Sequence, residues 1–203
     1  MRTFSVLLQL LGSGFLLGGY SQEITSEYRN VTQVLRLDNG LSWGLWGAMD
    51  FCEKGSFAHA FEIKFDPPGG VDNTAVNGVK LYCRNEDLYD TGYVTSVVGP
   101  NGDWLGMRVC HEGFLTGLRA DVMEPQGVLH DDVAVYNVEM MCEDGEYLIG
   151  GNTSYVFEEE EEVSSWDSCD KGTHICGLQT RYEDFSVGDD TGTNDIVMFC
   201  CRD

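Results

Sequence analysis

Three aspartates hold matched places in this chain: Asp72, Asp131 and Asp189, followed by Asn73, Asp132 and Asp190. Two carboxylates about 5 Å apart, or about 6.5–9.5 Å apart, with one protonated, can hydrolyse a glycosidic bond. Carboxylates at such places can also hold sugar hydroxyls. Both chemistries require distant segments to meet. Against catalysis stands the repetition itself: acid and base need different surroundings to separate their pKa values, and repeats supply similar ones. An Asp-Asn or Asp-Asp ahead of a strand also bonds its own backbone as a turn. Turn chemistry therefore comes first and saccharide contact second, and no catalytic residue is assigned. Trp43, Trp46, Trp104 and Trp166 could stack on sugar rings. A tryptophan that returns beside a cysteine in each unit reads as core. Trp43 is the exception, because Gly44 and Gly47 leave its face open, and it joins the three aspartates as a candidate glycan contact.

Other chemistries find no support. GxSxG, HExxH and P-loop patterns are missing. His111 beside Cys110 is no catalytic dyad if that cysteine is bridged and lacks a thiolate. The four histidines, His59, His111, His130 and His174, show no helical pairing, and there is no CxxC pair. Zinc ligands usually come in such close pairs, so neither a metal nor a cofactor is expected.

The residues are positioned by a repeat. CEKG (52–55), CHEG (110–113) and CDKG (169–172) recur at intervals of 58 and 59 residues. Each opening cysteine is answered by a closing one, Cys83, Cys142 or Cys200, after 31, 32 and 31 residues. From Asp72, Asp131 or Asp189 to that closing cysteine the distance is 11 in all three. Trp46, Trp104 and Trp166 precede the opening cysteines. A unit of nearly 60 residues is used three times, over about 31–88, 89–147 and 148–203.

Each unit reads as strands. Phe57, His59, Phe61, Ile63 and Phe65 alternate with Ala58, Ala60, Glu62 and Lys64. Val79, Leu81 and Cys83 alternate likewise, as do Val138, Met140, Cys142 and Ile196, Met198, Cys200. A period of two with one apolar face marks half-buried strands. VTQVLRL, GYVTSVV and NTSYVF add a β-branched or aromatic strand ahead of each opening cysteine. The chain is all-β, with three or four strands per unit.

Residues 1–21 carry Arg2, an apolar run from Phe4 to Leu17, and small Gly18, Gly19 and Ser21, the pattern of a secretory signal peptide. The mature domain is then 22–203. Eight cysteines in a secreted chain read as disulfides. Cys52–Cys83, Cys110–Cys142 and Cys169–Cys200 are the economical pairs. Cys176–Cys201 follows by elimination, and the swap of Cys169 to Cys201 with Cys176 to Cys200 stays open. Asn30 and Asn152 head N-x-Thr/Ser triplets and would carry glycans on surface loops. A formal charge of −22 repels nucleic acid and anionic membrane. It suits a soluble extracellular protein, or one that meets basic secreted proteins. The run Glu158–Glu162 reads as a solvated loop, with calcium or basic-protein contact as the sharper alternative.

SWGLWGAMDFC (42–52), DNTAVNGVKLYC (72–83), CGLQT (176–180) and DDTGTNDIVMFCC (189–201) resemble the vitelline membrane outer layer protein 1 family over all three blocks. The third block departs most, carrying the glutamate run where a Trp-Gly motif is due. The resemblance implies a β-prism of the first kind: three Greek-key sheets of about four strands around a pseudo-threefold axis, one sheet per repeat. It implies secretion, since founding members are structural components of the outer layer of the egg vitelline membrane and relatives occur in other extracellular fluids. A transglycosylation of chitooligosaccharides has been proposed for the family. The expected function is thus a secreted structural and binding protein that associates with glycans or basic proteins. A transglycosylase or hydrolase on chitin-like oligosaccharides is the alternative, and a lectin-like module a third reading.

Overall fold

The computed structural model describes residues 29–67, 74–123, 134–151, 162–184 and 191–203. A strand β1 (Val31–Arg36) and two short segments, β2 (Leu45–Trp46) and β3 (Asp50–Phe51), precede a long hairpin of β4 (Ser56–Asp66) and β5 (Ala75–Asn85). The series returns as β6 (Asp90–Thr95), β7 (Asp103–Trp104), β8 (Arg108–Val109) and the hairpin of β9 (Leu115–Val122) and β10 (Val135–Cys142). It returns again as β11 (Tyr147–Ile149), β12 (Glu162–Val163), β13 (Asp167–Ser168) and the hairpin of β14 (His174–Glu183) and β15 (Gly192–Cys201). The NTSYVF strand and residues 158–161 of the glutamate run lie outside the described residues. Glu162, the last of the run, enters β12 opposite Val122.

Three antiparallel sheets result. Sheet I runs β6-β5-β4-β7, with β8 continuing along the same edge of β4. Sheet II runs β11-β10-β9-β12 with β13, and sheet III runs β1-β15-β14-β2 with β3. In each, the split outer strand lies beside the first strand of the hairpin, the Greek-key order.

The expectation of one sheet per repeat is corrected. Every sheet takes its central hairpin from one block and its outer strands from the next. Sheet III closes the ring, pairing β1 and β15, the first and last strands among the described residues. The Cys-x-x-Gly turn is the physical reason. It joins the end of an outer strand to the next hairpin through a glycine at positive φ, Gly55 at 78°, Gly113 at 70° and Gly172 at 78°. That left-handed conformation suits a residue without Cβ, and the turn carries the chain out of one sheet into the next.

The disulfides therefore staple sheet to sheet. Cys52–Cys83 joins III to I, Cys110–Cys142 joins I to II, and Cys169–Cys200 joins II to III. Cys176 is bonded to Cys201. Cys200 belongs to the central core, whereas Cys201 lies with Phe199 and Val197 in a second cluster, because neighbouring strand residues face opposite ways.

Phe61, Ile63, Leu118, Ala120, Leu178, Ile196 and Met198 meet in one core, each at most 1% exposed. The alternation breaks at Phe57, which packs in the second cluster while Ala58 and Phe61 face the core. A β-bulge between Ala58 and Ala60 is the cause, since one extra residue reverses the faces beyond it. The same irregularity occurs in β9 against Cys142, and in β14 between Ile175 and Gly177. Its extra residues, His59, Thr116 and Cys176, offer their carbonyls to the N–H groups of Cys110, Cys169 and Cys52 at 3.0, 2.8 and 2.8 Å. The bulge thus anchors each opening cysteine. At this end the rings of Phe57, Phe114 and His174, one per hairpin, pack mutually with centroids 5.0–5.4 Å apart.

Candidate functional site

At the opposite end, a second bulge recurs, with Asn77, Tyr136 and Asn194 as the extra residues. Asn77 Nδ2 donates to Thr74 Oγ1 at 2.6 Å and the Ala75 carbonyl at 3.2 Å. Asn194 Nδ2 makes the equivalent bonds to Thr191 Oγ1 at 2.6 Å and the Gly192 carbonyl at 3.1 Å. Ala134 N–H donates to the Thr191 carbonyl, and Gly192 lies against the Thr74 carbonyl. Asp72, Asp131, Asp189 and their neighbours Asn73, Asp132 and Asp190 lie outside the described residues. The residues that follow them, Thr74, Ala134 and Thr191, converge.

A groove of about 620 Å³ opens at this end, where sheet III meets sheet I. One wall is Val97, Val98, Gly99 and Pro100, and the other is Gly44, Leu45 and Trp46. Tyr182, Glu183 and Asp184 complete it. The walls are fixed by polar contacts. Lys64 Nζ donates to the Gly99 and Pro100 carbonyls at 2.7 and 2.8 Å. Gly99 N–H bonds the Asn77 carbonyl, and Val97 N–H bonds Thr180 Oγ1 at 3.2 Å. The Tyr182 hydroxyl donates to Asn77 Oδ1 at 3.0 Å, and Thr191 Oγ1 donates to Glu183 Oε2 at 2.8 Å. Two glycines are required by close approach. Gly44, at φ 74°, lies on the Tyr182 carbonyl, and Gly99 lies on the Tyr182 ring.

Tryptophans near the opening cysteines turn out not to be core. Trp46 is 38% exposed and Trp43 53% exposed, while Trp104 and Trp166 are half-buried on the outer sheet faces. Each of the last two, and Trp46, lies beside a cation: Arg181 at 5.6 Å from Trp46, Lys80 at 3.8 Å from Trp104, and Arg119 at 4.8 Å from Trp166. Register makes Trp46 and Trp104 true counterparts, opposite Arg181 and Lys64 at matching places in β14 and β4. In sheet II that place belongs to Val163, opposite Asp121. Trp166 is therefore not the third copy.

On the outer face of sheet I the carboxylate of Glu62 is buried. Burial alone would raise its pKa, but the Tyr82 hydroxyl at 2.6 Å, the Gly106 N–H at 2.9 Å and Lys80 hold it below the ordinary value. Tyr82 is pushed up to about 12, by burial first and then by its bond to Glu62. A phenol raised above its unfolded value of about 10 stabilises the fold below that pH. This contribution is lost between pH 10 and about 12. Urea unfolding of the wild type should thus show stability falling through that window, and Tyr82→Phe should flatten the fall. An unchanged slope in the variant would show that titration of Tyr82 does not set the fall.

Among the described residues Asp195 is the carboxylate whose pKa is raised, by burial first, against its own chain's Ile196 N–H and the cations Arg181 and Arg36. It stands opposite Arg181 in β14, one strand from Trp46. Gly40 covers it, and it forms no part of the groove wall. Asp144 and Glu146 lie close to Cys142, whose sulfur is spent in its disulfide. Asn30 is exposed and donates its side-chain amide to the Arg202 carbonyl at 2.9 Å, while Asn152 lies outside the described residues. Sequence reasoning missed Tyr182, Glu183, Asp184 and the Val97–Pro100 wall. Gly99-Pro100 was the available signal, a turn at the end of a strand pattern.

A vitelline membrane outer layer protein I family model matches residues 33–203. The chain belongs to that family. The human vitelline membrane outer layer protein 1 homolog is 36% identical over 190 residues, 91% of this chain and 90% of its own length. The mouse homolog is 34% identical over 198 residues, 95% and 94% of the two chains. Solved structures resemble this family member in fold at much lower identity. A prostate-specific WGA16 glycoprotein lectin aligns with a TM-score of 0.52 and 10% identity, over 80% of this chain and 94% of its own. Artocarpin, solved as a mannotriose complex, aligns with a TM-score of 0.52 and 12% identity, over 84% and 97%. These likenesses make the three-sheet arrangement a β-prism.

Proposed function

We propose that this vitelline membrane outer layer family member is a secreted structural protein of an extracellular layer or fluid, and that it holds glycans in the groove between Trp46 and Glu183. The observation that carries the reading is the groove itself: an indole at one side, carboxylates at the other, and walls fixed by buried polar bonds. An aromatic face takes the apolar side of a pyranose, and carboxylates take its hydroxyls. Rigid walls reduce the ordering cost of binding. Four disulfides suit an oxidising compartment. No helix among the described residues is long and apolar enough to cross a membrane. Two β-prism neighbours, a glycoprotein lectin and artocarpin in complex with mannotriose, support a glycan as the ligand class.

The test is an array of glycans, chitooligosaccharides and mannose oligomers included, probed with the disulfide-intact protein. Trp46→Ala should weaken binding about tenfold or more, the loss of a little over 1.4 kcal/mol of stacking. The triple variant Asp72→Asn, Asp131→Asn, Asp189→Asn, probed beside it, reports whether the repeat acids share the site. Binding that survives Trp46→Ala undiminished would remove the groove from the account. Turnover of a bound oligosaccharide would replace the structural reading by the enzymatic one.

A further inference from the structure

Trp104 is the register counterpart of Trp46, yet it lies on sheet I rather than sheet III. Val98 links the two. It forms part of the groove wall, and beside Gly78 it shares a surface with Trp104: a Cβ added there would lie 3.3 Å from Val98 and 3.5 Å from Trp104 Cη2. The indole therefore reaches over β5 at Gly78, with the Lys80 ammonium 3.8 Å from its ring centre. Val98 is 40% exposed and stands between the two indoles, lining the groove with Trp46 and neighbouring Trp104 at Gly78. The Lys80 ammonium is matched by Glu62 at 3.4 Å, and the Lys64 ammonium is turned to the Gly99 and Pro100 carbonyls at 2.7 and 2.8 Å.

We propose that Trp104 is a second stacking position of the same binding site, so that the protein selects long, uncharged, linear oligosaccharides over short ones. This rests on the groove reading of the previous subsection. The charge of the occupant follows from the surroundings. Asp103 and Asp184 are exposed at the two ends of the track, and the chain carries −22 overall, which repels sulfated or uronic chains. Two stacking positions on one chain act through effective concentration: the second ring binds after the first has paid the ordering cost. Sheet II has Val163 at the equivalent place and lacks the second indole.

Calorimetric titration with N-acetylglucosamine and mannose oligomers, from dimer to hexamer, tests this. Wild-type affinity should rise with length in at least one series. Trp104→Ala should lower hexamer affinity about tenfold and leave the dimer unchanged. Trp104→Leu, which keeps apolar volume over Gly78, should do the same, so a folding defect is separable from a lost ring. Trp166→Ala on sheet II should change neither. Length-independent affinity, or a Trp104→Ala protein that still prefers the hexamer, would overturn the second position while leaving the groove intact. If no oligomer of any length binds the wild type, the groove reading and the second position fall together.

Discussion

Replacing Arg29 by Ala should lower the stability of this protein by about 3–5 kcal/mol, the loss expected when one partner of a buried, hydrogen-bonded ion pair is removed. Arg29 is 6% exposed and stands just before β1. Its Nη1 donates to the carbonyls of Cys52 and Glu53 at 2.7 Å each and of Ser56 at 2.9 Å. Its Nε pairs with Asp203 Oδ2 at 3.3 Å, and the guanidinium lies 5.3 Å from the Phe57 ring centre. Burial pulls its pKa down, and Asp203 opposes that shift. One side chain thus ties the start of β1, the first Cys-x-x-Gly turn and the end of β15 together, where the ring of sheets closes. Truncation removes the side-chain donor of the Cys52 and Ser56 carbonyls and the counter-charge of Asp203, whose side chain is 8% exposed, while Glu53 and Asp203 keep the N–H groups of Ser56 and Gly55. Lys at the same place keeps the charge but not the fork, and should recover less than half of the loss. Urea midpoints of the three proteins check it. An Arg29→Ala protein within about 1 kcal/mol of the wild type would show that the closure does not depend on this contact.

The second large effect concerns the sheet-to-sheet bridges. Cys110→Ser with Cys142→Ser should cost about 4 kcal/mol, because the bridge closes a loop with a sequence separation of 32. The cost is in the unfolded chain's regained freedom, so the urea slope should change along with the midpoint as the denatured state expands. Removing Cys176 and Cys201 together, by Ser at both, should cost nearly as much, since a separation of 25 lowers the loop-closure contribution by only about 0.2 kcal/mol. Urea unfolding of the two double variants checks it. Losses that differ by more than about 1 kcal/mol would mean that local packing, and not loop closure, sets the value of each bridge.

Much of this architecture is legible in the sequence. The alternation of Val79, Leu81 and Cys83 and of their counterparts placed three strands and their inward faces. The constant spacing of the cysteines marked the repeat. The exchange of strands between blocks was not legible, because pairing across a block boundary leaves the spacing within each block unchanged. Bulges hid the true face of Phe57, since an extra residue at His59 reverses parity without altering composition. Trp46 and Trp104 read as core because a large ring beside a cysteine has no signal of which sheet face it occupies. Trp166 was matched to them by its order in the chain, whereas register gives that place to Val163. Asn77 and Asn194, fully buried, matter through bonds to the start of their own strands, which an isolated asparagine cannot announce. Of the candidate glycan contacts, Trp43 is exposed next to the groove wall, and the aspartates lie outside the described residues.

The most direct measurement is an amide and indole NMR titration of the disulfide-intact protein with the glycan that binds best. The four indole N–H signals report on four places in the fold. The account predicts that Trp46 shifts with any bound oligomer, that Trp104 shifts only with long ones, and that Trp166 stays fixed. Shifts centred on Trp166, or binding that moves no indole near the groove, would contradict the assignment of a glycan to the space between Trp46 and Glu183.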